Sequence, residues 1–443
     1  MYTFEELRKK HKAFIYHNYF IDERGFRFHF SIDDYHFYPE WTFSSDYAQR
    51  FLSFSNKELL NSLVFSIGMS ELVSYWKCAC PPIVRVECGA LDNYAVSWWK
   101  KLYFNGLGEF FYKNKIEADI DTFMQIFAKN NTMQSFTEKH DTQGCIIPIG
   151  GGKDSIVTLE LLNKIGIENN LCYMINPRLS MLESAYRAGY TDKEIIKISR
   201  TIDKNLLALN SKGYLNGHTP ISSVIAFSSF MFAKVLGKEY VVLSNESSAN
   251  EGNTASKVNH QYSKSTEFEE DFRQYTDRYF GQSTQYFSLL RPWSEWQITK
   301  EFVKHKKYFD IFKSCNRGSK SDIWCGSCSK CLYVYIMLSA FLHDDELVNV
   351  FGKNLLNDES LNSDFIALIN PDYDKPFECV GTRDEVRLAL KNAIEKRKDS
   401  HITLPLLLEK NFKEINSYSI IDHNNYFDSD NFVPTKFLSL LKS

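Results

Sequence analysis

Polar and hydrophobic positions alternate most regularly near the N-terminus. Phe26, Phe28, Phe30 and Ile32 are interleaved with Arg27, His29, Ser31 and Asp33, the two-residue period of a strand with one buried face. Flanking strands are expected near Ala13 to Phe20 and Phe37 to Phe43. The period then changes. Leu60, Leu63, Val64 and Ile67 fall at i, i+3, i+4 and i+7, which predicts a helix from about Lys57 to Lys77. Glu71 continues that stripe and reads as a hydrogen-bonded core carboxylate rather than a ligand contact, because a buried charge needs a partner. Pro81 and Pro82 end the helix, a short strand follows from Ile83 to Glu87, and a polar stretch from Lys129 to Gln143 marks an expected domain boundary.

From Cys145 the rhythm is strand, loop, helix, strand: Cys145 to Ile149, a glycine loop, a helix closed by Gly166, then Leu171 to Ile175. This is a parallel βαβ unit. Apolar strands near Ile195 to Ile198 and Tyr240 to Leu243 extend it. The expected fold is α/β: a doubly wound parallel sheet over 141–443 with a helical C-terminal part, preceded by a β-rich α+β domain over 1–140. Helices are expected at Leu332 to Leu342 and, opened by a capping box of Thr382 and Glu385, at Arg383 to Lys396. The segment after Lys398 carries little pattern.

The 443 residues suit two domains, and 44% hydrophobic with 24% charged residues is ordinary for a globular chain. A formal net charge of −3 gives no global field to attract nucleic acid. No apolar run is long enough to span a bilayer and the N-terminus lacks a signal-peptide stretch, so a cytoplasmic protein without nucleic-acid or membrane partners is expected. Four of the ten cysteines crowd into Cys315 to Cys331, which suits one metal site in a reducing compartment better than a disulfide framework.

The chemistry is concentrated in Ile149-Gly150-Gly151-Gly152-Lys153-Asp154-Ser155, set between a buried strand and a helix. Glycines bring backbone N–H groups to phosphate oxygens, and the helix N-terminus adds partial positive charge. Ser155 offers a hydroxyl, Lys153 a point charge and Asp154 a ligand for Mg²⁺. The Walker pattern is absent, since Ser or Thr does not follow Gly-Lys directly. These residues resemble the PP-loop of the ATP pyrophosphatases, Ser-Gly-Gly-x-Asp-Ser, with Gly150 in place of the first serine. The resemblance implies cleavage of ATP between its α and β phosphates and transfer of adenylate to a carboxylate. Ligands of a doubly wound sheet lie at the carboxyl ends of its strands, where Asn176, Asn245 and Glu246 also fall.

Cys315, Cys325, Cys328 and Cys331 supply four thiolates for a closed, structural Zn²⁺ site. Their arrangement is similar to that in 7-cyano-7-deazaguanine synthase (QueC), another PP-loop enzyme. Longer signatures narrow the reading: Asn216 to Pro220, Ser244 to Asn250, Asn259 to Ser265, Leu290 to Pro292, Pro376 to Thr382 and Ser70 to Lys77. Together these resemble the UDP-N-acetylmuramoyl-L-alanyl-L-glutamate epimerase (MurL) family over about Ala13 to Ala389. The resemblance implies an ATP-dependent isomerase of peptidoglycan-precursor synthesis that acts on a UDP-linked dipeptide, turning its terminal L-glutamate into D-glutamate. Adenylation neutralises the carboxylate, so that an α-carbanion can delocalise as an enolate.

The proton-transfer groups are open among His218, His260, Glu246, Lys264 and Cys379. Thr219 and Pro220 look like an N-cap and first helical residue, which favours a neutral His218. Cys379 qualifies only with a lowered pKa. Arg291 is either a bidentate clamp for a carboxylate or phosphate or a salt-bridge residue, and Ser294 with Gln297 forms a capping box. Three other readings share the loop: a QueC-like amide or nitrile synthase, a tRNA-modifying pyrophosphatase, and a nucleotide-binding regulatory or defence protein without turnover. The oligomeric state is not legible.

Overall fold

The computed structural model describes residues 2–137, 142–254 and 258–442. Eleven strands form one sheet: β1 (Ala13–Asp22), β2 (Gly25–Ile32), β3 (Tyr35–Phe37), β4 (Glu40–Thr42), β5 (Ile83–Ala90), β6 (Gln125–Asn130), β7 (Cys145–Pro148), β8 (Leu171–Ile175), β9 (Ile195–Arg200), β10 (Tyr240–Leu243) and β11 (Gln285–Ser288). Their order is β11-β10-β7-β8-β9-β4-β2-β1-β5-β6, with β3 beside β2. The fold is therefore mixed α/β with a predominantly parallel sheet. Within β7 to β11 every pairing is parallel. The chain starts at β7, steps outward to β8 and β9, then crosses back to β10 and β11. The order thus reverses between β7 and β10, the switch point beyond whose carboxyl ends a doubly wound sheet has its ligand crevice.

The parallel strands send alternate residues to two cores. Ile146, Tyr173, Ile196, Ile198, Val241 and Tyr286 face one core, which they share with the N-terminal strands and the helices Lys57–Trp76, Ile221–Val235 and Thr266–Phe280. Ile147, Cys172, Met174, Ile195, Val242 and Phe287 face the other, covered by Lys153–Ile165, Glu295–Phe302, Ser329–Ser339 and Arg383–Asp399. Burial on both faces explains why these strands read as continuous apolar runs. The boundary expected near 140 falls at residues 138–141, outside the described residues. On either side of it the strands belong to the same sheet, joined by the antiparallel pairs Trp41↔Arg200 and Thr42↔Ser199.

A buried ion pair fixes that junction. Arg200 binds Glu71 through Nε and, at 2.6 Å, Nη2, and Trp41 Nε1 donates to the same carboxylate at 3.0 Å. Glu71 is thus the core carboxylate expected. Its helix, however, is buried on most of its circumference, well beyond the single stripe read from the sequence.

Several boundaries differ from expectation, among them the strand expected from Ile83 to Glu87 and the helix expected from Arg383 to Lys396, each of which runs three residues further. The strand anticipated from Phe37 to Phe43 is two short strands, because Pro39 between them has no N–H to give a ladder. The Ile221–Val235 helix has Pro220 as its N-cap, one residue later than expected, and the helix expected from Leu332 to Leu342 runs from Ser329 to Ser339. No helix among the described residues is long and apolar enough to cross a membrane.

Replacing Glu71 by Ala leaves the Arg200 charge buried without its carboxylate. It should destabilise the protein by about 3–5 kcal/mol, read as a lower urea midpoint, and exchanging both residues for Met should recover much of the loss.

Candidate active site

The glycine loop leaves β7 at the crevice. Gly151 has φ +79°, and a Cβ there would stand 2.7 Å from Ser180 Oγ, so glycine is required on both conformational and steric grounds. Gly150 faces open space, and its carbonyl accepts from Arg178 Nη2 at 3.0 Å. Gly152 caps the Lys153–Ile165 helix, and Ser155 Oγ donates to its carbonyl at 2.9 Å. Lys153 is buried and ion-paired with both Asp154 and Glu295. Its charge is thus already shared between two carboxylates.

Across the crevice Glu246 follows β10, and Glu295 opens the helix capped by Ser294 and Gln297, the capping box read from the sequence. Oxygens of Asp154, Glu246 and Glu295 lie within 4.8 Å of one another. Burial first, then the carboxylates of Asp154 and Glu246, push Glu295 up to about 8 despite the Lys153 ammonium, while that ammonium holds Asp154 below the usual carboxylate range. Three carboxylates so arranged are a donor set for a hard divalent cation.

Beside them lies a second cluster. Lys264 Nζ donates to Cys379 Sγ at 3.2 Å, and Lys330 donates to the Cys379 carbonyl. Burial alone would raise the thiol, but the Lys264 ammonium, the hydrogen bond with His260 and the Lys330 charge together lower Cys379 to about 6. Cys379 is half-buried as a residue. His260 Nδ1 meets the buried Glu109, and the rings of His218 and His260 stand 4.2 Å apart. The two titrate in opposite directions. His260 is raised to about 9, its hydrogen bonds to Cys379 and Glu109 outweighing burial, whereas burial first and the neighbouring His260 second depress His218 to about 3. His218 is thus neutral at physiological pH, with burial as the principal cause in place of the helix terminus invoked from sequence.

All five proton-transfer candidates therefore gather around the crevice. Lys264 connects the two clusters, since its ammonium donates to Cys379 and is stabilised by the charges of Glu246 and Asp154 as well. Arg291 is wholly buried. Its guanidinium donates to the Glu246 carbonyl at 2.6 Å, to the Lys264 carbonyl and, at 3.0 Å, to Glu269. It clamps the backbone of two site residues. Asn176 bonds the backbone of Arg200 in both directions, and Asn245 donates to Ser288 Oγ at 3.0 Å, so both amides tie strand ends together.

Glu109, Glu295 and Lys330 were not read from the sequence. Glu109 belongs to no recognisable motif, Glu295 was hidden inside a capping box, and Lys330 was hidden between two cysteines.

The sulfurs of Cys315, Cys325, Cys328 and Cys331 all lie within 4.8 Å of one another, with closest separations of 3.5, 3.7 and 3.9 Å. A tetrahedral ion with metal–sulfur bonds of about 2.3 Å would space its ligands at about 3.8 Å, so the four fit one closed site. Lys330 lies between Cys328 and Cys331, which links the cluster to the crevice through the Cys379 carbonyl.

Models of the MurL N-terminal domain and the MurL C-terminal domain match residues 5–289 and 311–418. The chain belongs to the MurL family. It is 34% identical over 72% of its length to a UDP-N-acetyl-alpha-D-muramoyl-L-alanyl-L-glutamate epimerase of Xanthomonas oryzae pv. oryzae, of which it covers 71%. Proteins of the same name from Salinispora tropica and a Micromonospora species are 34% and 32% identical over 72% and 73% of the chain, which covers 70% and 73% of them. No solved structure matches it.

Alkylation of Cys379, followed by mass spectrometry, should accelerate as pH rises through about 6. Lys264→Met should move that midpoint up toward the ordinary thiol value of about 8.5; an unchanged midpoint would assign the thiolate to other neighbours.

Proposed function

We propose that this protein is an ATP-dependent epimerase that inverts the α-carbon of the terminal L-glutamate of UDP-N-acetylmuramoyl-L-alanyl-L-glutamate, forming an acyl-adenylate on the way and releasing AMP and pyrophosphate. The substrate follows from the MurL relatives. The observation that carries the chemistry is the junction at Lys264, whose ammonium donates to a lowered-pKa thiol and also feels the charges of Glu246 and Asp154, two members of the carboxylate cluster at the glycine loop.

In this reading the glycine loop and the amino end of the Lys153–Ile165 helix receive the polyphosphate of ATP, and Ser155 contributes its hydroxyl. Asp154, Glu246 and Glu295 would hold Mg²⁺, which neutralises phosphate charge when bound. Attack of the glutamate carboxylate on the α-phosphorus makes a mixed anhydride and expels pyrophosphate. The anhydride carries no negative charge on its carbonyl, so removal of the α-proton yields an enolate in place of a dianion. Cys379, ionised at neutral pH, takes that proton from one face. Lys264 stays cationic, because its carboxylate and thiolate neighbours outweigh burial, and it faces the negative charge that develops. A second group of the cluster returns a proton to the opposite face. Water then releases D-glutamyl product and AMP, which closes the balance. The four cysteines hold Zn²⁺ for structure. By keeping Lys330 in place they keep the Cys379 carbonyl in place.

Supplied with ATP, Mg²⁺ and the L-glutamyl precursor in D₂O, the enzyme should place deuterium at the glutamate α-carbon while AMP accumulates. Without ATP, exchange should be absent. Cys379→Ala should remove exchange and spare pyrophosphate release, Asp154→Asn should suppress both, and the relative losses in His218→Asn and His260→Asn assign the opposite-face donor. AMP without α-deuterium would overturn epimerisation and point to an amide-forming reaction; ADP would overturn the reading of the loop. Between pH 6 and 9, where Cys379 is ionised and His260 protonated, exchange should be fastest and fall off on both sides.

Metal analysis should find about one zinc per chain. Cys328→Ser should lose it together with thermal stability, since binding and local folding are coupled.

A further inference from the structure

The alternation that buries Phe26, Phe28, Phe30 and Ile32 gives the opposite face of β2 to Arg27, His29 and Ser31. Three histidines meet on that face. His17 is the extra residue of a β-bulge: Tyr16 pairs with Phe30 and Asn18 with His29, which sets His17 beside His29. From the other side, β3 pairs His36 with Ser31, two residues from His29 on the same face. His29 Nε2 therefore lies 2.9 Å from His36 Nδ1, the rings of His17 and His29 stack at 4.5 Å, and one nitrogen of each ring lies within 4.8 Å of the others.

We propose that His17, His29 and His36 form a site for a borderline divalent transition-metal ion of the zinc and nickel class, distinct from the cysteine cluster. Imidazole nitrogen is the ligand such ions share. Metal–nitrogen bonds of about 2.0–2.1 Å place tetrahedral ligands about 3.4 Å apart, so the three nitrogens, now within 4.8 Å of one another, converge on an ion by rotation of their rings. His17 Nδ1 lies 3.1 Å from Glu87 Oε2 on the neighbouring strand, a carboxylate–histidine pair that leaves Nε2 as the ligand nitrogen. That Nε2 now rests 2.8 Å from Ser31 Oγ, a hydroxyl an ion would displace. Arg27 opposes a cation here, and Glu87 offsets it. Three protein ligands leave one position for water, and the bound ion ties β1, β2 and β3 together.

The purified protein, with its cysteine metal retained and loosely held metal removed on a chelating resin, is titrated with NiCl₂ by calorimetry. A single saturable equivalent is expected, with a rise in melting temperature. His29→Ala and His36→Ala should each abolish both signals while keeping the metal-free melting temperature and the epimerase rate. Glu87→Gln, a surface change that leaves the ligands intact, should weaken binding by about 10-fold or more, and it keeps the test open should a histidine variant fold poorly. No saturable equivalent in the unmodified protein, or one that survives in both histidine variants, would overturn the proposal. Since none of these residues touches the crevice, loss of epimerase activity alone would bear on the proposed function and leave the metal site standing.

Discussion

The structure turns on how charge is balanced where β7 and β10 diverge. Asp154, Glu246 and Glu295 approach one another closely, and like charges in a poorly solvated crevice repel strongly unless cations are placed among them. Lys153 is pinned between two of them, with Lys264 and Lys330 close by. Removing any one of these cations would leave the carboxylates less fully offset. The constraint reaches outward, because its members sit on several elements. Lys153 and Asp154 begin one helix, and Glu295 begins another, whose first N–H donates to Glu385 of a third at 2.7 Å. A Cβ on Gly381 beneath that contact would lie 2.6 Å from the Tyr333 hydroxyl and 2.7 Å from Glu385 Oε2, so both side chains would have to shift to admit one. The covering helices on this face are thus ordered by the polar centre as well as by apolar packing.

Arg291 performs the equivalent task from beneath. A guanidinium has five donors in a rigid fork, and here it holds the carbonyls of Glu246 and Lys264, residues 18 apart in sequence, in one frame. A lysine could not span both. The sequence offered two readings of this residue, a ligand clamp or a salt bridge. The ion pair with Glu269 is present, and the clamp is present too, closed on the protein's own backbone.

Much of the parallel half was legible because its strands are buried on both faces and its helices carry local stop and start signals. Cys145 to Ile149, Leu171 to Ile175 and Tyr240 to Leu243 are found within a residue of their expected limits, and the capping boxes at Ser294 and Thr382 form as read. Less legible was whatever depends on contacts remote in sequence. β6, lying partly in a stretch read as a polar boundary, is a strand because β5 offers it a parallel edge. Glu109 became a site residue only because 151 residues later the chain returns His260 to it. The candidate site was legible residue by residue, in His218, Glu246, His260, Lys264 and Cys379, but their partners were hidden. A partner's role lies in the field it exerts, and a field has no sequence signature.

That field gives the two clusters reason to adjoin. Under the proposed reaction, activation and proton transfer are sequential steps on one carboxyl group and its neighbouring carbon, a single bond apart. The groups serving them cannot be far apart either. They nonetheless have opposite electrostatic needs: a cation-binding carboxylate set on one side, and on the other a thiol whose ionisation requires positive charge nearby. Lys264 meets both needs from one position. Its ammonium offsets the carboxylates and also stabilises the thiolate, so the charge that makes the first site tolerable makes the second one reactive. Separating the clusters would deprive Cys379 of the cation that ionises it, and the mixed anhydride, once formed, would have water as its nearest base.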